Sequence, residues 1–194
     1  MLYATKNKIK IKAIPNGIGY CPYCKQQLIP KCGMIKVWHW AHKANYDCDS
    51  WSEGETIWHI NWKKVVKPEN CEVIITRGNK THRADIVNRL GRVIELQHSS
   101  ISLKKILERQ DFYKFIYWLF DARKFKDNLG FRKKDGYWNF RWYYPHKSQS
   151  YCRGLFWDFG DGSIFKVKKL YGNTPCGGWG YFLDKKEFIN KYLL

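Results

Sequence analysis

Asp85, Glu95 and Gln97 carry the strongest chemical signal in the chain, within RADIVNRLGRVIELQHSSIS from Arg83 to Ser102. Asp85-Ile86-Val87 and Val93 to Gln97 read as two strands. Asn88-Arg89-Leu90-Gly91 is the turn between them, with Gly91 free to take positive φ. Strand residues two apart share a face, so Glu95 and Gln97 point one way with Val93, and Ile94 and Leu96 the other. A hairpin brings Asp85 beside Glu95. Neighbouring carboxylates repel unless a cation lies between them, and hard oxygen ligands suit magnesium or manganese. The plainer reading is a pair of solvated strand acids.

A second group lies upstream. Glu55, His59 and Lys63 stand at i, i+4 and i+8, so a carboxylate, an imidazole and an ammonium share one helical stripe. Such a stripe can reach a metal, a water and a phosphate. The helix runs towards Val66 and Pro68 closes it; Ser52 with Glu55, and Ser50 with Glu53, each form a capping-box pattern that would make Glu55 structural. Downstream, Ser102 caps a helix in which Arg109 and Tyr113 are i, i+4 partners.

The third group is cysteine-based. Seven cysteines in a chain with no export signal point to metal binding rather than to a disulfide framework. Cys21-Pro22-Tyr23-Cys24 is a knuckle able to grip one tetrahedral zinc. Four of Cys21, Cys24, His39, His42 and Cys48 make the site; spacing leaves open which two of the last three complete it, and Cys32 is a weaker sixth candidate. No thioredoxin-like βαβ pattern surrounds the motif, which sets a redox role aside.

The elements that position these groups follow from periodicity. Lys8 to Lys12 alternates as a basic-faced strand, and Pro15-Asn16-Gly17 turns the chain. Cys71 to Thr76 is a short β-run, and Phe115 to Asp121 is a continuous apolar run suited to a buried strand. From the helix at Glu55 to Asp121 the order is helix, three strands, helix, strand. Tyr137 to Tyr144 alternates aromatics with polar or basic residues, which fits core packing better than base stacking. Gly160-Asp161-Gly162-Ser163 marks a hairpin, and Asp184 caps a final short helix. Cys152 and Cys176 lack nearby partners for a second metal site.

Lysine and arginine total 35 against 17 acids, a formal charge of +18. Such an excess opposes compaction and is explained best by a polyanionic partner. No apolar run approaches a membrane span, and the basic N-terminus lacks the apolar stretch of a secretory signal. The expectation is a cytoplasmic protein that binds DNA and no membrane.

The motifs together resemble the PD-(D/E)XK nuclease core, and more closely its CoiA-like competence branch. That branch carries an Asp strand, Glu-x-Gln and a Ser, matched here by Asp85, Glu95-Leu96-Gln97 and Ser99. Gln97 stands where the superfamily usually has Lys. The family's Glu-(Ser/Thr)-x-x-His-x-x-x-Lys matches Glu55-Thr56, His59 and Lys63. Its CP-x-C followed by H-(aromatic)-x-H matches Cys21 to Cys24 and His39 to His42, and its Arg and Tyr match Arg109 and Tyr113.

The resemblance implies a mixed α/β (α+β) fold. A zinc-binding module spans 1–50, an αβββαβ core 51–121, and a β-rich extension 122–194. It implies a magnesium-dependent deoxyribonuclease in which Asp85 and Glu95 hold the metal, with the Leu96 carbonyl and Glu55 as further ligands. Lys63 stands in for the missing lysine, Gln97 orients water, His59 contacts phosphate or relays a proton, and Arg109 neutralises the phosphate. Zinc is then structural. The competing classes are a non-catalytic zinc-containing nucleic-acid-binding protein and an RNA-directed nuclease.

Overall fold

A computed structural model of the chain describes residues 1–35, 37–43, 48–51, 54–172 and 176–194. It is a mixed α+β protein in two compact units, Met1–Val87 and Asn88–Leu194.

The first unit opens with a five-stranded sheet of short strands. These are β1 (Tyr3–Lys6), β2 (Ile9–Lys12), β3 (Gly19–Tyr20), β4 (Gln27–Lys31) and β5 (His39–Ala41), in the order β2-β1-β3-β4-β5. All neighbours are antiparallel. The basic alternation of Lys8 to Lys12 is β2, and the expected turn forms with Gly17 N–H donating to Ile14 O at 3.0 Å. The core beneath is small: Met1, Ala4, Ala13, Cys21, Leu28 and Trp40.

Helix α1 (Ile57–Lys63) follows, then the antiparallel hairpin of β6 (Cys71–Arg77) and β7 (Lys80–Val87). The helix begins later than its period suggests. Thr56 is the N-cap, its hydroxyl accepting from His59 N–H, and His59 completes a capping box by reaching back to Thr56. Glu55 therefore precedes the helix instead of sharing a stripe on it. Of the expected capping boxes, Ser52 and Glu53 lie outside the described residues.

The second unit holds β8 (Val93–Gln97), α2 (Leu103–Tyr113), β9 (Ile116–Asp121), β10 (Leu129–Lys134), β11 (Tyr137–Trp142), β12 (Leu155–Asp158), β13 (Ser163–Tyr171), β14 (Gly177–Asp184) and α3 (Lys185–Phe188). The order α1-β6-β7-β8-α2-β9 is the αβββαβ run expected from sequence. Within this unit the strands lie β10-β11-β14-β13-β12-β9-β8. Strand β9 is parallel to both β8 and β12, and the other pairs are antiparallel. Parallel strands are covered on both faces, and all five residues of β8 are buried. Before β8, Gly91 takes φ +70 as its place in the turn requires.

Ser102 and Asp184 cap their helices as expected, accepting from Lys105 N–H and Glu187 N–H. The aromatic alternation of β11 serves the core. Phe140 and Trp142 are buried against Trp157 at 4.9 and 5.2 Å, while Arg141 faces out. Strand β14 owes its glycines to close backbone approach, since a Cβ at Gly178 would run into the Lys169 carbonyl oxygen. Gly178→Ala is expected to lower stability by about 1–3 kcal/mol, the usual cost of overpacking, read as a fall in the urea midpoint. Among the described residues, no helix is long and apolar enough to cross a membrane.

Candidate functional site

The CxxC motif occupies the loop of the β3–β4 hairpin. Cys21 N–H donates to Gln26 O at 2.8 Å and Lys25 N–H to Cys21 O at 3.0 Å, with Lys25 at φ 61. Tyr23 N–H points at Cys21 Sγ, 3.4 Å away, and so favours a thiolate there. His42 follows β5 directly.

The ligand atoms of Cys21, Cys24, His42 and Cys48 all lie within 4.8 Å of one another. Cys21 Sγ is 3.6 Å from Cys48 Sγ, and Cys24 Sγ is 3.4 Å from His42 Nε2. A tetrahedral zinc with bonds of ~2.3 Å to sulfur needs S···S edges of about 3.8 Å, so the donor set fits that ion. Burial pushes the Cys21 and Cys48 thiols up, and at Cys48 the neighbouring thiols push the same way. A bound cation is what would hold three thiolates together here.

The choice among His39, His42 and Cys48 is thereby made. His39 stays outside the cluster, with its Nδ1 donating to Val37 O at 2.8 Å. Cys32, Cys152 and Cys176 are also outside it.

A second cluster in the same unit centres on Lys63, whose side chain is 1% exposed. Its Nζ lies 2.6 Å from Glu55 Oε1, 3.1 Å from Glu72 Oε1 and 3.0 Å from Asp85 Oδ1. Burial acts to depress the ammonium pKa. Asp85, Glu55 and Glu72 outweigh it and hold the pKa well above its ordinary value. The arrangement brings three sequence-predicted residues together: Glu55, Lys63 and Asp85. Glu55 Oε2 is buried and makes no hydrogen bond among the described residues. His59 is buried, its Nδ1 engaged by the Thr56 hydroxyl at 2.8 Å.

Two acids escaped sequence reasoning. Glu72 is buried at φ 50, and its carboxylate accepts Leu2 N–H at 2.8 Å and Tyr3 N–H at 3.0 Å. Burial acts to raise its pKa, but Lys63 and its other partners hold it far below the carboxylate range. Asp49 accepts from His82 Nδ1 at 2.9 Å, Arg83 N–H at 2.8 Å and Trp51 N–H at 3.0 Å. Arg83 is itself held cationic, since Glu72, Glu55 and Asp85 outweigh its burial. The available signal was a lone acid interrupting an apolar run, as in Cys71-Glu72-Val73-Ile74-Ile75.

The remaining predicted residues belong to the second unit. Glu95 and Gln97 are buried on β8. Arg109 of α2 donates from Nη1 to Glu95 Oε2 at 2.7 Å, both side chains nearly inaccessible. This is a buried pair. Gln97 Nε2 donates to Ser99 O at 3.0 Å and Ser99 Oγ at 3.2 Å, bracing the loop after β8.

Compared with known proteins, residues 4–50 match the family model of the N-terminal domain of competence protein CoiA. That span contains all four residues of the Cys21, Cys24, His42 and Cys48 cluster. No curated protein and no solved structure matches the chain.

Proposed function

We propose that this chain is a metal-dependent nuclease that hydrolyses DNA phosphodiester bonds. The observation that carries the reading is the convergence of Glu55 and Asp85 on the Lys63 ammonium. These are three of the positions that the resemblance marks as catalytic. Buried ionisable groups are costly unless paired, and such clusters gather at functional sites.

The donors suit magnesium or manganese. Glu55 keeps one buried oxygen uncommitted, and Asp85 is partly exposed. In this reading Asp85 of the first unit holds the ion, with Glu55 as a further ligand, and Glu95 of the second unit is the other metal-holding carboxylate that the resemblance implies. The ion, when bound, supplies Lewis-acid polarisation of the phosphate.

Lys63 stays protonated through the working pH range. It serves as a fixed positive charge against charge developing on the phosphate, and not as a general base. Arg109 plays the same part, oriented by Glu95. Gln97 orients water. His59 has its Nδ1 engaged by Thr56, so any phosphate contact or proton relay falls to its other ring nitrogen. The zinc cluster stabilises the N-terminal sheet. The charge of +18 supplies DNA affinity with a steep salt dependence. The match to a competence-protein domain supports a setting in DNA processing, recombination or defence.

The test is cleavage of supercoiled, linear and single-stranded DNA, with RNA alongside, in magnesium, in manganese and without added metal. Asp85→Ala and Glu95→Ala are each expected to lower the metal-dependent rate about 100-fold or more while leaving DNA binding intact. A second reading, a non-catalytic zinc-containing nucleic-acid binder, draws on Glu95 being neutralised already by Arg109. Tight, salt-sensitive binding with no cutting under any divalent metal would decide for that reading. Cutting of RNA alone would reassign the substrate.

A further inference from the structure

The second unit contains a cavity of about 310 Å³ that none of the roles above uses. Strand β8 and its following loop supply Gln97, His98 and Ser99; the end of β9 supplies Asp121; the segments beyond supply Lys124 and Gln149.

Its best-defined feature is a carboxylate–imidazole pair. Asp121 is buried, and its Oδ2 accepts His98 Nδ1 at 2.7 Å and Arg123 Nη2 at 2.6 Å. Its Oδ1 accepts Arg123 Nε at 2.7 Å. Burial acts to raise the Asp121 pKa, but the Arg123 and His98 hydrogen bonds outweigh it and hold the carboxyl below its usual range. An ionised carboxylate only accepts, so His98 Nδ1 is the donor and the ring is fixed in orientation. Arg123 answers the Asp121 charge, and Asp121 is the one acid on the wall. The remaining charge on the wall is Lys124, together with His98 and His146 when protonated.

Gln149 provides an independent observation. It is 3% exposed, and Trp157 Nε1–H donates to its Oε1 at 2.8 Å. An indole nitrogen only donates, so the amide is locked with its NH2 turned away from Trp157. That NH2 makes no hydrogen bond among the described residues. That NH2 is accessible from the cavity, and an oxygen-rich ligand there would give it an acceptor.

Donors and cations without a free acid select an anion with acceptor oxygens. At ~30 Å³ per water, the cavity has room for on the order of ten waters, more than a bare phosphate fills. Phe120 and Phe125 add apolar wall, with Phe125 backed by Trp142 at 4.9 Å.

We propose that this cavity is a subsite for one phosphorylated nucleotide. Lys124 and the Gln149 amide take phosphate oxygens, and the sugar and base lie along the phenylalanines. The choice of a nucleotide over other organic phosphates rests on the nuclease reading. Gln97 lies on both β8 and the cavity wall, so the nucleotide held here adjoins the strand that carries Glu95.

The test titrates the whole zinc-loaded chain with dAMP, without added divalent metal, by calorimetry. Saturable one-to-one binding is expected. Lys124→Ala and Gln149→Glu should each weaken it at least tenfold, the latter because a carboxylate still accepts from Trp157 but repels phosphate. Lys134→Ala, an exposed charge off the cavity wall, should leave it unchanged. Absence of saturable binding, or an equal loss in Lys134→Ala, overturns the site. Inorganic phosphate competing as tightly as dAMP overturns the nucleotide assignment. Cleavage is read separately: an inactive chain that still binds dAMP removes the nuclease and keeps this site, and an active chain without dAMP binding does the reverse.

Discussion

Removing zinc with a strong chelator is expected to unfold the N-terminal sheet of the first unit. The reason is the smallness of what else holds it. Its strands run from two to five residues, and among the described residues its core cluster has six buried residues. Cores of that size rarely sustain a fold alone, whereas structural zinc contributes on the order of 10 kcal/mol. Elemental analysis should find one zinc per chain. Cys24→Ser, His42→Ala and Cys48→Ser should each lose it, and His39→Ala should keep it. Loss of the near-ultraviolet dichroism of buried Trp40 on chelation would report the collapse. A His39→Ala chain without zinc, beside a His42→Ala chain that retains it, would move the fourth ligand to His39.

Lys63→Met is expected to cost the first unit about 3–5 kcal/mol, because it strands Glu55, Glu72 and Asp85 around an apolar side chain. Urea unfolding measures the loss, and adding Glu72→Gln should restore part of it by removing one of the unbalanced charges. The same cluster fixes the pH limits. Glu72 is depressed below its ordinary 4.5, so its contribution is complete above that pH and is lost progressively as pH falls towards its folded value. Lys63 is raised above 10.5, so its contribution is complete below that pH and is lost only as pH rises through the higher folded value. Stability should therefore plateau between these limits. Glu72→Gln should flatten the acid limb, and an unchanged acid midpoint in that variant would remove Glu72 from the account.

Much of this was legible along the chain because the signals are local. The CxxC loop, the caps at Ser102 and Asp184, the Gly160–Gly162 hairpin and the apolar run of β9 each need only a few neighbouring residues. The αβββαβ order followed from the same periodicities. What stayed hidden depends on contacts remote in sequence. Glu72 looks like a solvated acid until Leu2, 70 residues away, brings an amide to it. Asp49 likewise gains its meaning from His82 and Arg83. Periodicity misplaced Glu55, because helical spacing holds only inside a helix, and Thr56 starts the helix one residue later. His39 and His42 were equivalent by spacing; the strand that ends at Ala41 separates them.

Strand order in the second unit also has a kinetic consequence. The hairpin of β10 and β11 joins the sheet through β14, so Trp138, paired with Lys133 on one side, waits for Gly180 on the other. During synthesis this hairpin is made early and stays an open edge until β14 leaves the ribosome. Closure over such sequence separations is slow. Assembly of this unit should thus be governed by the arrival of its final strand, with the aromatic face of β11 exposed to chaperones or to other nascent chains in the interval.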